Sequence, residues 1–216
     1  AIELFGGEHL YQLFGQGESP MTITGLPQAS HARRETLESC GFARTGNWWG
    51  SQTFGMQPTS VTMAKAVTSA CVPMGALTVP ENVYQTLVEA SGKHGVFAHG
   101  FTYSGHPLAC AVALKTIEIY ERIKIVDHVR RVAPVFQLRL KALADHPLIG
   151  EARGVGLIGG LEIVKDKRSK QSFDAKLGVG AKAARLAEEE GVLCRAVGGD
   201  TVALCLPLVM DGAEIN

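Results

Sequence analysis

A lysine that follows a short apolar segment is the residue whose surroundings best suit covalent chemistry. Residues 61–64 (VTMA) are typical of a short buried strand, and Lys65 comes directly after them. Its neighbours Ala64, Ala66 and Ser69 are small. An amine at a strand end among small residues can reach a pocket, lose part of its hydration and, once deprotonated, attack an aldehyde. The same amine can then move a proton. From the residues alone, a solvated surface lysine is the competing interpretation.

Three glycines match a nucleotide-binding motif without its structural context. Gly154, Gly156 and Gly159 satisfy G-x-G-x-x-G. That motif presents backbone N–H groups to pyrophosphate only between a strand and a helix, whereas these glycines lead into and lie within a predicted strand. We therefore expect no dinucleotide there. The cysteines and histidines show no metal-ligand spacing, so the sequence predicts no metal site.

The charge balance argues against large anionic partners. The chain has 21 Lys and Arg residues against 21 Asp and Glu residues, so no field of one sign would attract nucleic acid or an anionic membrane. No run of 18 apolar residues occurs. The 5 cysteines are scattered, and we interpret them as reduced thiols of a cytoplasmic protein. A small-molecule partner is favoured.

Predicted helices and strands alternate along the rest of the chain, which is typical of an α/β protein. Residues 75–79 predict a second strand, and residues 93–107 a loop rich in glycine, histidine and aromatic side chains. Pro134 is expected to bend its helix or to break a turn of it. The other predicted elements are helices over residues 107–123, 125–143 and 177–190 and strands over residues 156–164, 192–196 and 201–207.

Three long blocks carry the most specific signal in the chain. They are residues 40–76 (CGFARTGNWWGSQTFGMQPTSVTMAKAVTSACVPMGA), residues 99–114 (HGFTYSGHPLACAVAL), and residues 153–164 with 194–209 (RGVGLIGGLEIV and CRAVGGDTVALCLPLV). In this order they resemble the class III aminotransferases, enzymes that use pyridoxal 5'-phosphate. The segment HGFTYSGHP is similar to the corresponding segment of the branch that acts on ω-amino acids or amines with pyruvate.

The resemblance implies roles for three residues. Lys65 matches the lysine that holds the cofactor as a Schiff base and moves a proton during transfer. Thr102 matches the threonine that contacts the cofactor phosphate from the partner subunit, and a hydroxyl on a glycine-flanked loop suits that role; a local turn is the alternative. Arg195 matches the arginine that faces the substrate or pyruvate carboxylate, with a surface ion pair as the alternative.

The chain also departs from the family pattern. Thr36 occupies the position of the aspartate that keeps the pyridine nitrogen protonated, and a threonine cannot hold that proton. Ala66 replaces a glycine. No Ser-Gly-Ser type phosphate loop precedes these residues, and TITGLP, residues 22–27, resembles a segment that the family places much further upstream. We interpret the chain as a C-terminal half or an internally deleted form.

The resemblance predicts fold type I of the pyridoxal-phosphate enzymes. Residues 1–123 would form part of the large cofactor-binding domain, and residues 124–216 the small C-terminal domain. The expected reaction moves an amino group from an amine or ω-amino acid to pyruvate or another 2-oxo acid, in a homodimer with shared active sites. Another reaction on the same scaffold, decarboxylation or an aminomutase reaction, and an inactive fragment with only a structural or dimerisation role, remain the alternatives.

Overall fold

The computed structural model describes residues 38–39 and 42–215, which fall into two compact units. The described part of the first unit consists of residues 38–39, 42 and 49–123. The described part of the second consists of residues 43–48 and 124–215. Within the described residues, no helix has both the length and the apolar content needed to cross a bilayer.

The first unit contains a mixed three-stranded sheet. Strand β1 (Glu38–Ser39) runs parallel to β2 (Val61–Ala64), and β2 pairs antiparallel with β3 (Gly75–Thr78). The prediction of two strands on either side of the Lys65 segment is confirmed. The connection begins with a 3-10 turn, Lys65–Thr68, so Lys65 does follow the end of a strand.

The described part of the same unit has three helices: α1 (Gly50–Phe54), α2 (Glu81–His94) and α3 (Pro107–Arg122). The sequence predicted α3, whose proline at the first position suits a helix start and whose buried residues lie three or four apart. The sequence did not predict α2, which has no buried residue and therefore lacks a strong apolar period. The loop before α3 accordingly begins at Gly95 and not at residue 93.

The second unit packs helix α4 (Ile125–Ala142) on a four-stranded antiparallel sheet. The strands lie in the order β4-β5-β7-β6, and a further helix, α5, joins β5 to β6. Helix α4 is continuous through Pro134, so the broken turn does not occur. Proline removes one helix hydrogen bond, and the burial of Ala133 and Phe136 on either side offsets that loss. The bounds are β4 Ile149–Val155, β5 Ile158–Ile163, α5 Val179–Glu189, β6 Arg195–Val197 and β7 Thr201–Cys205.

The three glycines of the nucleotide-like motif lie in the hairpin that joins β4 to β5, with no helix after them. A Cβ atom at Gly154 or Gly159 would lie 2.8 or 2.7 Å from Cδ2 of Leu140, so both positions let α4 approach the sheet closely. Gly156 has φ +58°, and a Cβ there would lie 2.3 Å from the Arg44 carbonyl oxygen. The three glycines therefore allow close packing and do not form a nucleotide site. Strand β4 was not predicted from the sequence.

Replacing Gly156 tests the close approach of residues 44–45 to the hairpin. Gly178 has nearly the same backbone, φ +57° against φ +58°, but nothing lies within 4 Å of its added Cβ. We expect Gly156→Ala to lower the free energy of unfolding by about 2 kcal/mol more than Gly178→Ala does, because the left-handed strain is common to both. Urea unfolding followed by circular dichroism measures the difference. Equal losses would show that residues 44–45 move aside without cost.

Leu140 tests the contact between α4 and the sheet. Its side chain is 1% exposed and leaves no room for a Cβ atom at Gly154 or Gly159, whereas Leu138 on the same helix is 70% exposed. Leu140→Ala should lower the free energy of unfolding by about 3 kcal/mol, and Leu138→Ala should change it by less than about 0.5 kcal/mol. Chemical denaturation of both variants measures these values, and a small effect at Leu140 would contradict the assigned packing.

Candidate functional site

Lys65 begins a turn whose backbone is unusual for its residues. The residue is exposed and has φ +54°, and Ser69 and Ala70 in the same turn have φ +50° and +60°. Residues other than glycine rarely adopt this left-handed conformation, and each instance costs on the order of 1–3 kcal/mol. Such strain persists only where the surrounding structure holds it, and it concentrates at functional sites.

Hydrogen bonds inside the turn hold its first carbonyl. The Lys65 oxygen accepts from the Ala70 amide at 3.0 Å and lies 3.2 Å from the Thr68 hydroxyl oxygen. That hydroxyl is also 2.8 Å from the Val72 carbonyl oxygen, and Thr68 is fully buried. Ala66 and Val67 are buried beside it. The three residues that follow Lys65 are therefore buried, and hydrogen bonds hold the turn that they form.

Helix α3 supports the turn from within the same unit. The Tyr120 hydroxyl donates to the Ala66 carbonyl oxygen at 3.2 Å, and Tyr120 is buried. Its ring packs against Phe42 with centroids 6.1 Å apart, and Phe42 makes an edge contact with Trp49 at 5.2 Å. Phe42 is thus linked to the lysine turn through Tyr120.

Thr102 lies in an exposed loop, residues 95–106, that precedes α3. Within the described residues its hydroxyl makes no hydrogen bond, whereas the neighbouring Ser104 hydroxyl accepts from the Phe101 amide at 2.9 Å. The side-chain hydrogen bond that the structure describes within this loop is therefore made by Ser104 and not by Thr102. Phe101 and Tyr103 on either side of Thr102 are 79% and 77% exposed, an unusual state for aromatic residues.

Thr102 precedes the first residue of α3 in the chain, whereas the lysine turn contacts the helix near its last residues. Pro107 and Tyr120 are 13 residues apart (120 − 107), or about 20 Å along the helix axis at ~1.5 Å per residue. Thr102 precedes Pro107, while the turn contacts Tyr120. In the described chain, Thr102 and Lys65 make no hydrogen bond to each other.

Arg195 begins the edge strand β6 in the second unit, paired with Ala203. It is exposed, and it forms no ion pair with any residue that the structure describes, so the surface ion pair is not made there. Its guanidinium can bind a carboxylate through two parallel hydrogen bonds. Burial, with the negative charge of Glu188, raises the pKa of the adjacent Cys194 thiol, which therefore stays protonated and unreactive.

Two residues whose hydroxyls bond to carbonyls of the lysine turn were not predicted from the sequence. Thr68 lies three residues after Lys65, and only its burial and its two carbonyl partners mark it out. Tyr120 belongs to the apolar period of α3, and no sequence pattern indicated its bond to Ala66. Thr36, where the family has its aspartate, lies outside the described residues. No group of three metal-binding side chains occurs in the part of the chain that is described.

Comparison with known proteins identifies the family. The family model described as "Aminotransferase class-III" matches residues 39–216. A putrescine–pyruvate aminotransferase of Pseudomonas aeruginosa is 46% identical over 178 residues, which are 82% of this chain and 38% of that protein. A chloroplastic gamma aminobutyrate transaminase 3 of Solanum lycopersicum is 42% identical over 177 residues, 82% of this chain and 34% of its own.

Solved structures agree with this. A PLP-bound mutant aminotransferase from Vibrio fluvialis superposes with a TM-score of 0.79 at 40% identity, over 83% of this chain and 40% of the other. The chain thus spans between a third and two fifths of the length of these proteins. Its mixed α/β architecture is part of fold type I. With the family model matching residues 39–216, the chain belongs to the class III aminotransferases.

Proposed function

We propose that the protein transfers an amino group from an amine or ω-amino acid to pyruvate or another 2-oxo acid, using pyridoxal 5'-phosphate. The observation that carries the proposal is the environment of Lys65. This exposed lysine follows a strand and begins a left-handed turn whose next three residues are buried and whose backbone is held by hydrogen bonds. The family supports this reaction class. The names of the two relatives, putrescine–pyruvate aminotransferase and gamma aminobutyrate transaminase, support the choice of substrates.

The residues present suit this cofactor. Pyridoxal phosphate supplies an aldehyde that joins reversibly to amines and a ring that withdraws electrons from the adjacent carbon. The exposed Lys65 amine can bind the aldehyde, and Thr102 offers a hydroxyl with no described hydrogen-bond partner to a phosphate. With substrate bound, Lys65 Nζ would take a proton from the substrate carbon that bears the nitrogen and return it on the other side of the transfer.

A homodimer with shared sites accounts for the position of Thr102. In this chain Thr102 lies in an exposed loop and its hydroxyl makes no described hydrogen bond, so it would be available to the site of a second copy. The exposed side chains of Val96, Phe101 and Tyr103 around it would be covered in such a dimer. The proposal includes no nucleic-acid or membrane partner.

Other parts of the proposal concern the two units and the location of the protein. We assign residues 1–123 to the large cofactor-binding domain and residues 124–216 to the small domain. The boundary between the two units at Ile123 and Lys124 supports this assignment, whereas residues 43–48 belong to the second unit. A cytoplasmic location is supported by the four described cysteines, all free thiols.

The attachment of the cofactor to Lys65 is tested by reduction. After pyridoxal phosphate is added and borohydride reduces the linkage, peptide mass spectrometry should find the label on Lys65, and Lys65→Ala should abolish it. Lys124→Ala is the matched control, since Lys124 is also exposed and has φ +51°. An amine-plus-pyruvate assay that yields alanine then separates transfer from decarboxylation or an aminomutase reaction. A native chain that takes no label at all would overturn the proposal and favour an inactive fragment.

The role of Arg195 is tested through the acceptor. Because the guanidinium would bind the carboxylate of pyruvate, Arg195→Gln should raise the KM for pyruvate by about tenfold or more while changing the KM for an amine without a carboxylate less than about twofold. Arg185→Gln is the control, since Arg185 is exposed in the same unit and pairs with Glu189 on its own helix. Steady-state kinetics measures both constants. Equal effects on the two substrates would rule out the assigned contact.

A further inference from the structure

We propose that Thr68 and Tyr120 are positioning residues that hold the backbone of Lys65 so that its amine is presented for covalent attachment of the cofactor. The inference rests on the proposed function and goes beyond it, since neither residue contacts the reacting atoms. Both act through carbonyl groups of consecutive residues, Lys65 and Ala66.

The backbone conformation at Lys65 requires stabilising hydrogen bonds of this kind. Its φ of +54° is a conformation that L-residues with a side chain leave readily, and Ser69 and Ala70 in the same turn have the same preference. Relaxation of Lys65 to a negative φ would turn its Cα–Cβ bond and redirect the whole side chain. The flexible lysine stem would then have to reach the cofactor from another direction, at a cost in conformational entropy.

Thr68 closes the turn from its inside. Its hydroxyl has one proton, and the oxygen lies 3.2 Å from the Lys65 carbonyl and 2.8 Å from the Val72 carbonyl. That proton can be donated to the Lys65 carbonyl or to the Val72 carbonyl, so the hydroxyl lies between the first carbonyl of the turn and the chain that follows it. Because Thr68 is 0% exposed, no water can replace the hydroxyl without rearrangement of the turn.

Tyr120 fixes the next carbonyl from a separate element. Its hydroxyl donates to Ala66 at 3.2 Å across 54 residues of chain, and both residues are buried. The contact of its ring with Phe42 fixes where the hydroxyl points. Together the two hydroxyls orient the peptide planes on either side of Ala66, and therefore limit the rotation of the backbone at Lys65.

The packing of the two side chains does not require either hydroxyl. Valine has nearly the shape of threonine and phenylalanine nearly that of tyrosine, so Thr68→Val and Tyr120→Phe remove the hydrogen bonds and keep the apolar contacts. Thr116→Val is the matched control. Thr116 is 7% exposed in the same unit, and its hydroxyl donates only within its own helix, to Val112 at 2.8 Å.

Two measurements test the proposal. The first is amide hydrogen exchange at Ser69 and Ala70 in the cofactor-free chain, followed by NMR. The second is the concentration of pyridoxal phosphate that labels half of Lys65 after borohydride reduction. We expect Thr68→Val and Tyr120→Phe to speed the exchange at these two amides by about tenfold and to raise the half-labelling concentration by about tenfold, through loss of buried hydrogen bonds. Thr68→Ser should restore both, and Thr116→Val should change neither.

The outcomes separate this inference from the proposed function. If Lys65 of the native chain takes no label, the proposed function fails, and unchanged exchange at Ser69 and Ala70 in either variant overturns the positioning role independently. If Lys65 is labelled at the same concentration in the native chain and in both variants, the positioning role is overturned while the proposed function stands. A labelling defect that Thr68→Ser leaves in place would also overturn the role of the hydroxyl. Tyr120→Phe allows the same decisions should Thr68→Val fail to fold.

Discussion

The left-handed turn that begins at Lys65 is the constraint on which the candidate site depends. Three residues with side chains adopt positive φ within six positions, and this arrangement is unfavourable unless other groups hold it. The buried hydroxyls of Thr68 and Tyr120 bond to its carbonyl oxygens, and Ala66 and Val67 anchor it in the core. Strand β2, the turn and helix α3 therefore pack together and support the exposed side chain of Lys65.

In the second unit, the packing depends on the close approach of other parts of the chain to the glycines of one hairpin. The glycines of the β4–β5 hairpin leave room for Leu140 on one side and for the chain at residues 44–45. Gly156 also allows the left-handed turn that the hairpin needs. The same glycine pattern in a strand–helix turn would bind pyrophosphate. The secondary structure around the glycines, and not the residue pattern alone, therefore decides what such a motif does.

The sequence predicted most of the elements that carry a strong apolar period. Strands β2 and β3 and helices α3 and α4 were predicted close to their observed bounds. Helix α2 was missed because none of its residues is buried, and β4 because its glycines obscure the strand pattern. Pro134 did not break α4, since packing on both sides of it outweighs one lost hydrogen bond. The roles of Lys65, Thr102 and Arg195 came from a resemblance and stay predictions.

The sequence by itself determined the family, because three long ordered blocks are far more specific than any short motif, and it placed Lys65 after a strand. Only the tertiary structure showed which buried hydroxyls bond to the carbonyls of the lysine turn, and that this turn contacts the C-terminal part of α3. The hydrogen bond between Tyr120 and Ala66 spans 54 residues and leaves no local pattern in the sequence, since each partner is an ordinary residue of its own element. Their function becomes apparent only when the chain brings them together.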